Sequence, residues 1–295
     1  MEIINQYDEN GKKNGLWIDR NEDGIILVCA NYKNGKLDGR YTEYNPVNGF
    51  INFSCEYKEG LLHGNYKIYN SAGNLTHNTE YKNNMKDGMA LSYFPNGELK
   101  SIINYSENRQ HGRMIDFYEN GQIRTNTNFD RDKEQGISLS YYPNGNLESR
   151  TNFKNGHLHG KVESYYENGK IKEISNYNYK EPHGIALSFY QNGDLNHITS
   201  FENGKINRIF LKFNENGTLK EAIFNKNGNR DFSLSDKEKK ELTPKESEKL
   251  WKEIEKDDYL KEIIKNTSWG KSQGNTTAQE WGNKILQDKI DELEK

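Results

Sequence analysis

The stretch YYENGKIKEISNYNYKEPHGIALSFYQNG, residues 165–193, decides the fold. Asn-Gly occurs at Asn168-Gly169 and returns at Asn192-Gly193, 24 residues later, with His183-Gly184 between them. Asn and Gly are the residues that tolerate the backbone conformations of tight turns, and alternating segments around them are a strong hairpin signal. The stretch therefore predicts extended segments that reverse direction at fixed intervals.

Working outward, the same pattern fills most of the chain. Blocks begin at Gly73, Gly97, Gly121, Gly145, Gly169 and Gly193, each separated by 24 residues without a slip. Earlier copies begin at Gly24 and Gly49, the first of them one residue longer, and partial copies stand at either end. Each block reads as two strands. Leu75, His77, Thr79 and Tyr81 share one parity of the first, against Asn74, Thr76, Asn78 and Glu80. Ile137, Leu139 and Tyr141 share one parity of the second, against Ser138, Ser140 and Tyr142. Period-two alternation over runs this short means half-buried strands.

The fold class expected is mainly β: an elongated single-layer antiparallel β-meander of tandem 24-residue hairpin repeats over residues 1–232. Asn-Gly should close the tight turns, and the connection KNGHLHG at residues 154–160 reads as a wider one. Parity places Leu75, Leu99, Ile123 and Leu147 on one face with Tyr81, Tyr105, Phe129 and Phe153, and with Tyr93, Phe117 and Tyr141 of the second strands. Ser92, Asp116, Ser140, Ser164 and Ser188 fall on the other, each two residues before an aromatic: Phe94, Tyr118, Tyr142, Tyr166 and Tyr190.

These blocks resemble the MORN repeat in its shorter variant, most closely at YYENGK (165–170), NFKNGHLHGK (152–161) and NYKNGKLDGRYTEY (31–44). The resemblance runs over roughly residues 4–230 and departs at Gln135-Gly136 and at Asn207-Arg208, where His-Gly is expected. Bacterial arrays of this variant are assigned to the YwqK-like antitoxin family. The resemblance thus implies an immunity protein that binds a cognate toxin and neutralises it sterically. Other MORN arrays imply the alternative of a structural scaffold or membrane-associated module.

Composition narrows the classes. Among 295 residues the hydrophobic fraction is 32% and the aromatic fraction 12%, with 19 Tyr and a net charge of −3. That is too little apolar material for a large multilayer core, yet too aromatic and too weakly charged for disorder. The sequence pI of about 6.2 argues against non-specific nucleic-acid binding, which needs a basic footprint, and no basic cluster marks a lipid-binding surface. Met1 is followed by EIINQYDENGKKNG, which has no basic-then-apolar leader, and no apolar run approaches the roughly 18 residues of a spanning helix. A cytoplasmic location follows as the expectation. Cys29 and Cys55 differ in parity relative to Tyr32 and Tyr57, so they should lie on opposite faces as free thiols.

Nothing in the pattern points to catalysis or to a cofactor. His63, His111, His159 and His183 recur before Gly, but repeats advance about 10 Å each, too far for successive histidines to share an ion. They read as turn residues bonded within their own loop, and Asp38, Asp87 and Gln135 replace them in the same column. The row Phe94, Tyr118, Tyr142, Tyr166 and Tyr190 has three readings: rings that cover neighbouring turns, a stripe for a protein partner, where Tyr is enriched, or a stacking platform for single-stranded nucleic acid, which the acidic balance disfavours.

Residues 233–295 change character. Thr243, Pro244 and Glu246 form a capping box, and Leu250, Trp251, Ile254, Ile263 and Ile264 recur at helical spacing. A second helix is expected from Thr277, with Trp281, Ile285, Ile290 and Leu293 on one side. These helices would cap the open end of the meander or contact a partner through Trp251, Trp269 and Trp281.

Overall fold

The computed structural model describes residues 4–226 and 229–235. It divides into two compact units, Met1–His157 and Leu158–Lys295, a division the even spacing of the repeats does not announce. Within the described residues every regular element is a strand. The two helices expected after residue 243 lie outside the described residues. The last strand reaches Ser235, three residues past the boundary drawn from composition.

The first unit holds β1 (Gln6–Tyr7), β2 (Lys13–Arg20), β3 (Ile26–Lys33), β4 (Lys36–Tyr44), β5 (Ile51–Lys58), β6 (Leu61–Tyr69), β7 (Leu75–Lys82), β8 (Met85–Tyr93), β9 (Leu99–Ser106), β10 (Arg109–Phe117), β11 (Ile123–Asp130), β12 (Lys133–Glu134), β13 (Gly136–Tyr141) and β14 (Leu147–Lys154). Each pairs antiparallel with its sequence neighbours; β12 and β13 are one interrupted strand against β11. The second unit holds β15 (His157–Tyr165), β16 (Ile171–Asn178), β17 (Glu181–Pro182), β18 (Gly184–Phe189), β19 (Leu195–Glu202), β20 (Lys205–Phe213), β21 (Leu219–Lys226) and β22 (Asn229–Ser235), paired in the same manner. The meander is thus observed in each unit.

The two turns exchange the roles expected of them. Tight two-residue reversals occur at the connection read as wide: Lys82 faces Met85 across Asn83-Asn84, and Ser106 faces Arg109 across Glu107-Asn108. Both central residues have positive φ there, 51° and 67° in each case, as the mirror-image turn that matches strand twist requires. Asn155 and Gly156 in KNGHLHG take the same conformation, at 54° and 76°. The recurrent Asn-Gly makes the wider turn. Gly97 alone has positive φ, at 90°, and its N–H donates to the Phe94 carbonyl at 2.9 Å, while Asn96 accepts the Glu98 N–H at 2.9 Å.

The wide turn also overturns the face assignment. Tyr93 faces Leu99, but Ser92 faces Ser101, so Lys100 is an extra residue and parity reverses across each such turn. Ser92, Asp116 and Ser140 therefore share a face with Tyr105, Phe129 and Phe153, called here the tyrosine face. Tyr93, Leu99 and Phe117 lie on the opposite, leucine face, in company with Leu91, Ile102, Ile115 and Leu139. Cys29, in register with Thr42, and Cys55, in register with Tyr41, occupy opposite faces as expected, and both thiols are free.

On the tyrosine face of the first unit, ring packs on ring. Tyr41, Phe53 and Tyr66 stack in series with centroids 5.8 and 5.4 Å apart, and Tyr57 and Tyr81 meet this series edge-on. Pairs of this kind contribute about 0.5–1.5 kcal/mol each beyond the area they bury. Cys55 lies beneath them, and burial pushes its thiol up to about 11 even though a hydrogen bond with Tyr57 opposes the shift. Fully covered side chains of this unit are small, as with Ala30, Thr42 and Cys55, the size that neighbours within one layer can enclose.

Arg131 holds φ at 49° in one of the tight turns, a conformation that disfavours L-residues by about 1–2 kcal/mol but penalises Asn less. Arg131→Asn should therefore stabilise the protein by about 0.5–1 kcal/mol, read as a higher denaturation midpoint; an unchanged or lower midpoint would contradict the turn assignment.

Candidate partner-binding surface

A surface for a partner is whatever the repeats do not consume in holding themselves together. At the wide-turn edge, Asn96, Asn120, Asn144, Asn168, Asn192 and Asn216 each accept the N–H two residues on. Asn120 Nδ2 then donates to the Pro143 carbonyl of the next turn at 2.9 Å, and Asn168 Nδ2 to Gln191 at 3.3 Å. The aromatic row stands directly behind these turns. The Tyr118 hydroxyl donates to the Tyr141 carbonyl, Tyr166 to Phe189 and Tyr190 to Phe213, each at 2.7 Å. Phe94, Tyr118, Tyr142, Tyr166 and Tyr190 are all half-buried. Tyr118, Tyr166 and Tyr190 thus spend their polar group on the neighbouring repeat and offer only part of a ring outward. Trp251, Trp269 and Trp281 lie outside the described residues.

The tight-turn edge carries the histidine column, and where Asp or Gln stands in it the side chain reaches the next repeat rather than its own loop. Asp38 accepts the Glu59 N–H at 3.0 Å, Asp87 the Glu107 N–H at 3.4 Å and Gln135 the Asn155 N–H at 2.9 Å. A second acceptor works alongside: Asn84, Asn108 and Asp132 take the N–H of Leu62, Lys86 and Gln110 at 2.7–2.8 Å. In the same column His63 and His159 keep a buried Nδ1 without a hydrogen-bond partner, while His111 sits 3.3 Å from Asp130 in the open. Among the described residues no three His, Cys, Asp or Glu side chains gather to hold a metal ion.

One set of residues escaped the sequence reading. Opposite the His-Gly position the ladder breaks, and in several repeats the side chain before the strand aromatic repairs it, while Gln135 and His183 donate their own N–H to the backbone of Asn128 and Asn176. Glu80 accepts the Met89 N–H at 2.9 Å; Asn31 and Asn104 donate to the carbonyls of Arg40 and Arg113 at 3.1 and 2.6 Å. Positive φ calls for glycine along this column, and at two positions the side chain also folds over it: a Cβ on Gly88 would lie 1.9 Å from Glu80 Oε2, and one on Gly64 2.5 Å from Glu56 Oε2. The signal was present in the sequence. From Gly39 to Gly184 an Asn or Glu stands eight residues before each such glycine, and where Arg208 replaces the glycine, Ser200 replaces the partner.

Between these edges the tyrosine face carries paired hydroxyls. Ser92 and Ser101 lie 2.6 Å apart, Thr127 and Ser138 2.6 Å, and Ser140 and Ser149 2.7 Å. In the second unit Ser188 meets His197 Nδ1 at 2.5 Å. Burial holds the His197 imidazole below its usual pKa, with Lys212 acting in the same sense and Glu173 against it. The leucine face of the first unit is different: Leu91, Ile102, Ile115 and Leu139 are half-exposed, and Met89 and Ile137 are 46% and 41% exposed.

An array of antiparallel hairpins in which each turn is completed by its neighbour defines a β-hairpin repeat protein. Five segments, residues 86–107, 110–130, 134–155, 158–179 and 182–203, match the MORN repeat variant family. No curated protein matches the chain. Among solved structures, TcdB2-TccC3-Cdc42 is similar at 14% identity over 70% of this chain and 13% of that chain, TM-score 0.21. The Photorhabdus luminescens Tc holotoxin pore with the mutation TccC3-D651A is similar at 12% identity over 72% and 13%, TM-score 0.21. A porin-like protein from Bacteroides uniformis is similar at 10% identity over 66% and 93%, TM-score 0.18. The chain spans 13% of the length of the first two, and likeness of this degree carries no argument.

Two substitutions separate the local effects. Gly88→Ala should destabilise by about 2–3 kcal/mol, combining a strained φ with loss of the Glu80–Met89 hydrogen bond. Gly97→Ala, which meets open space, should cost only the conformational part, about 1–2 kcal/mol. Equal losses in urea denaturation would refute the account of the broken ladder. Tyr190→Phe should cost about 1 kcal/mol through the lost bond to Phe213; a neutral result would free that row from its role in joining repeats.

Proposed function

We propose that this protein is a non-enzymatic, protein-binding repeat array of the cytoplasm, an immunity protein that binds a cognate bacterial toxin and neutralises it by steric cover. The observation that carries the reading is the leucine face of β8–β13. There Leu91, Ile102 and Ile115 run in register, Asn126 stands between Ile115 and Leu139, and Met89 and Ile137 project into solvent. Adjacent exposed apolar side chains such as Leu91, Ile102 and Ile115 are material for an interaction site. A frame whose turns are hydrogen-bonded from repeat to repeat is already ordered, which reduces the entropy lost on association. Met89, Arg113 and Ile137 occupy one equivalent position of successive repeats, so specificity can vary while the framework stays unchanged.

Expression of the gene's neighbours, alone and together with this protein, provides the test. One neighbouring product should be toxic by itself and relieved by co-expression. The double variant Met89→Asp, Ile137→Asp changes two exposed side chains and should leave stability within about 0.5 kcal/mol per site. It should nevertheless lose protection and co-purification with the toxin. Absence of any toxic neighbour, full protection by the double variant, or flotation of the purified protein on anionic vesicles in its place would each overturn the proposal.

A further inference from the structure

The edge of β2 is finished by a side chain. A strand paired on one side leaves N–H and carbonyl groups pointing outward on the other, a template for another chain. β1 covers the beginning of that edge, with Tyr7 opposite Lys13 and Gln6 opposite Asn14. The Asn5 N–H then donates to the Leu16 carbonyl at 2.8 Å. There the backbone leaves the extended line, because Asn5 has a φ of 57°, and its side chain continues the pairing. Asn5 Oδ1 accepts the Ile18 N–H at 2.7 Å, and Nδ2 donates to the Ile18 carbonyl at 3.1 Å. Both backbone groups of one residue are thereby satisfied, as a hydrogen-bonded partner on a neighbouring strand would satisfy them. A carboxamide can do this because it carries a donor and an acceptor, like a peptide unit. The Trp17 indole holds the same short strap: its Nε1 donates to the Gln6 carbonyl at 3.2 Å, and the Tyr7 ring meets it edge-on at 5.1 Å.

We propose that Asn5 is a latch that closes this edge against a second copy of the chain. β2 is the self-complementary element. Two antiparallel copies of one strand offer each other the same donors and acceptors, so β2 against β2 about a two-fold axis normal to the sheet makes a closed pair. Such an axis keeps Leu16 and Ile18 of both copies on one face and Trp17 of both on the other, as β2 already presents them to β3. What stands in the way is short. β1 has two residues, Tyr7 is 63% exposed, and strand pairing of that length holds poorly by itself. The carboxamide adds the rung at Ile18 that the backbone of the strap does not reach. Without it the outward groups of Ile18 have no partner in the strap, the remaining contacts yield more readily, and the whole outward edge of β2 becomes a pairing surface. This surface is separate from Met89 and Ile137, on which the proposed function rests.

The full-length purified protein tests this without any toxin, so the outcome is independent of the proposed function. Asn5→Ala changes an exposed side chain and touches none of the pairings of β2 with β3. In dilute solution it should speed hydrogen exchange of the Ile18 amide at least about tenfold over the wild type, resolved by mass spectrometry with fragmentation. At higher concentration sedimentation velocity should show the variant forming a dimer that the wild type does not form. Within that dimer the Ile18 amide should be protected again, which locates the contact at the β2 edge. Ile18 exchange unchanged by Asn5→Ala, a variant that keeps the wild-type association state at every concentration, or a dimer in which Ile18 still exchanges freely would each overturn the proposal.

Discussion

A hairpin turn leaves backbone groups that its own two strands cannot reach, and here the adjacent repeat supplies their partners. At one edge Tyr118 and Asn120 donate to carbonyls of the following wide turn; at the other, Asp38, Asp87 and Gln135 accept N–H groups of the following tight turn. Each such bond is modest, about 1 kcal/mol net. Their importance lies in where they run. A repeat isolated from its neighbour would lose several at once, together with the cross-strand ring contacts of the tyrosine face, so stability is a property of adjacent pairs and not of single hairpins. This is the physical reason that so polar a chain, with 32% hydrophobic residues, builds an ordered sheet without a conventional core.

Most of that order was legible in the sequence, and the failures have one source. Period, strand pairs and the aromatic columns followed from the spacing of Gly and from alternation. What alternation does not reveal is an extra residue. Lys100 sits between Leu99 and Ser101 without adding a strand position, so a face assignment carried by parity across the turn comes out inverted, although the same reasoning within one strand placed Cys29 and Cys55 correctly. The exchange of turn types has a related origin. Asn-Gly can serve either a mirror-image turn or a wide one in which Gly alone takes positive φ, and only the pairing of Lys82 with Met85, against that of Tyr93 with Leu99, distinguishes them.

The Asn and Glu residues that repair the ladder opposite His-Gly positions show the complementary case. Their identity looked like ordinary strand polarity, yet their spacing from the glycine was fixed. At the one place where the glycine is lost, Ser200 takes over, its hydroxyl accepting the Ile209 N–H at 3.0 Å. Two positions eight residues apart change together, the glycine with its positive φ and the polar residue across the ladder from it. Such paired exceptions inside a repeat are structural information of the same kind as the repeat itself.

The features that recur with the period are therefore the ones the fold has already used. Turn asparagines, the hydroxyls of Tyr118, Tyr166 and Tyr190, the Asp and Gln members of the histidine column and the ladder-repairing Asn and Glu have partners within the sheet, and a partner protein competing for them would have to break it. Recognition has to fall on positions where the frame sets direction but not chemistry. The leucine face contains such positions: Met89, Arg113 and Ile137 occupy one place in three repeats, and their side chains are free to differ because no backbone group depends on them. Exposure is the condition that makes this variation useful. The large apolar residues of the second unit's leucine face, typified by Ile198 and Leu211, are sealed from solvent, so changes there would act on folding before they could act on binding. The distinction between a repeat protein's structural and recognising residues thus reduces to whether a side chain closes a hydrogen bond or a layer, and Met89 and Ile137 close neither.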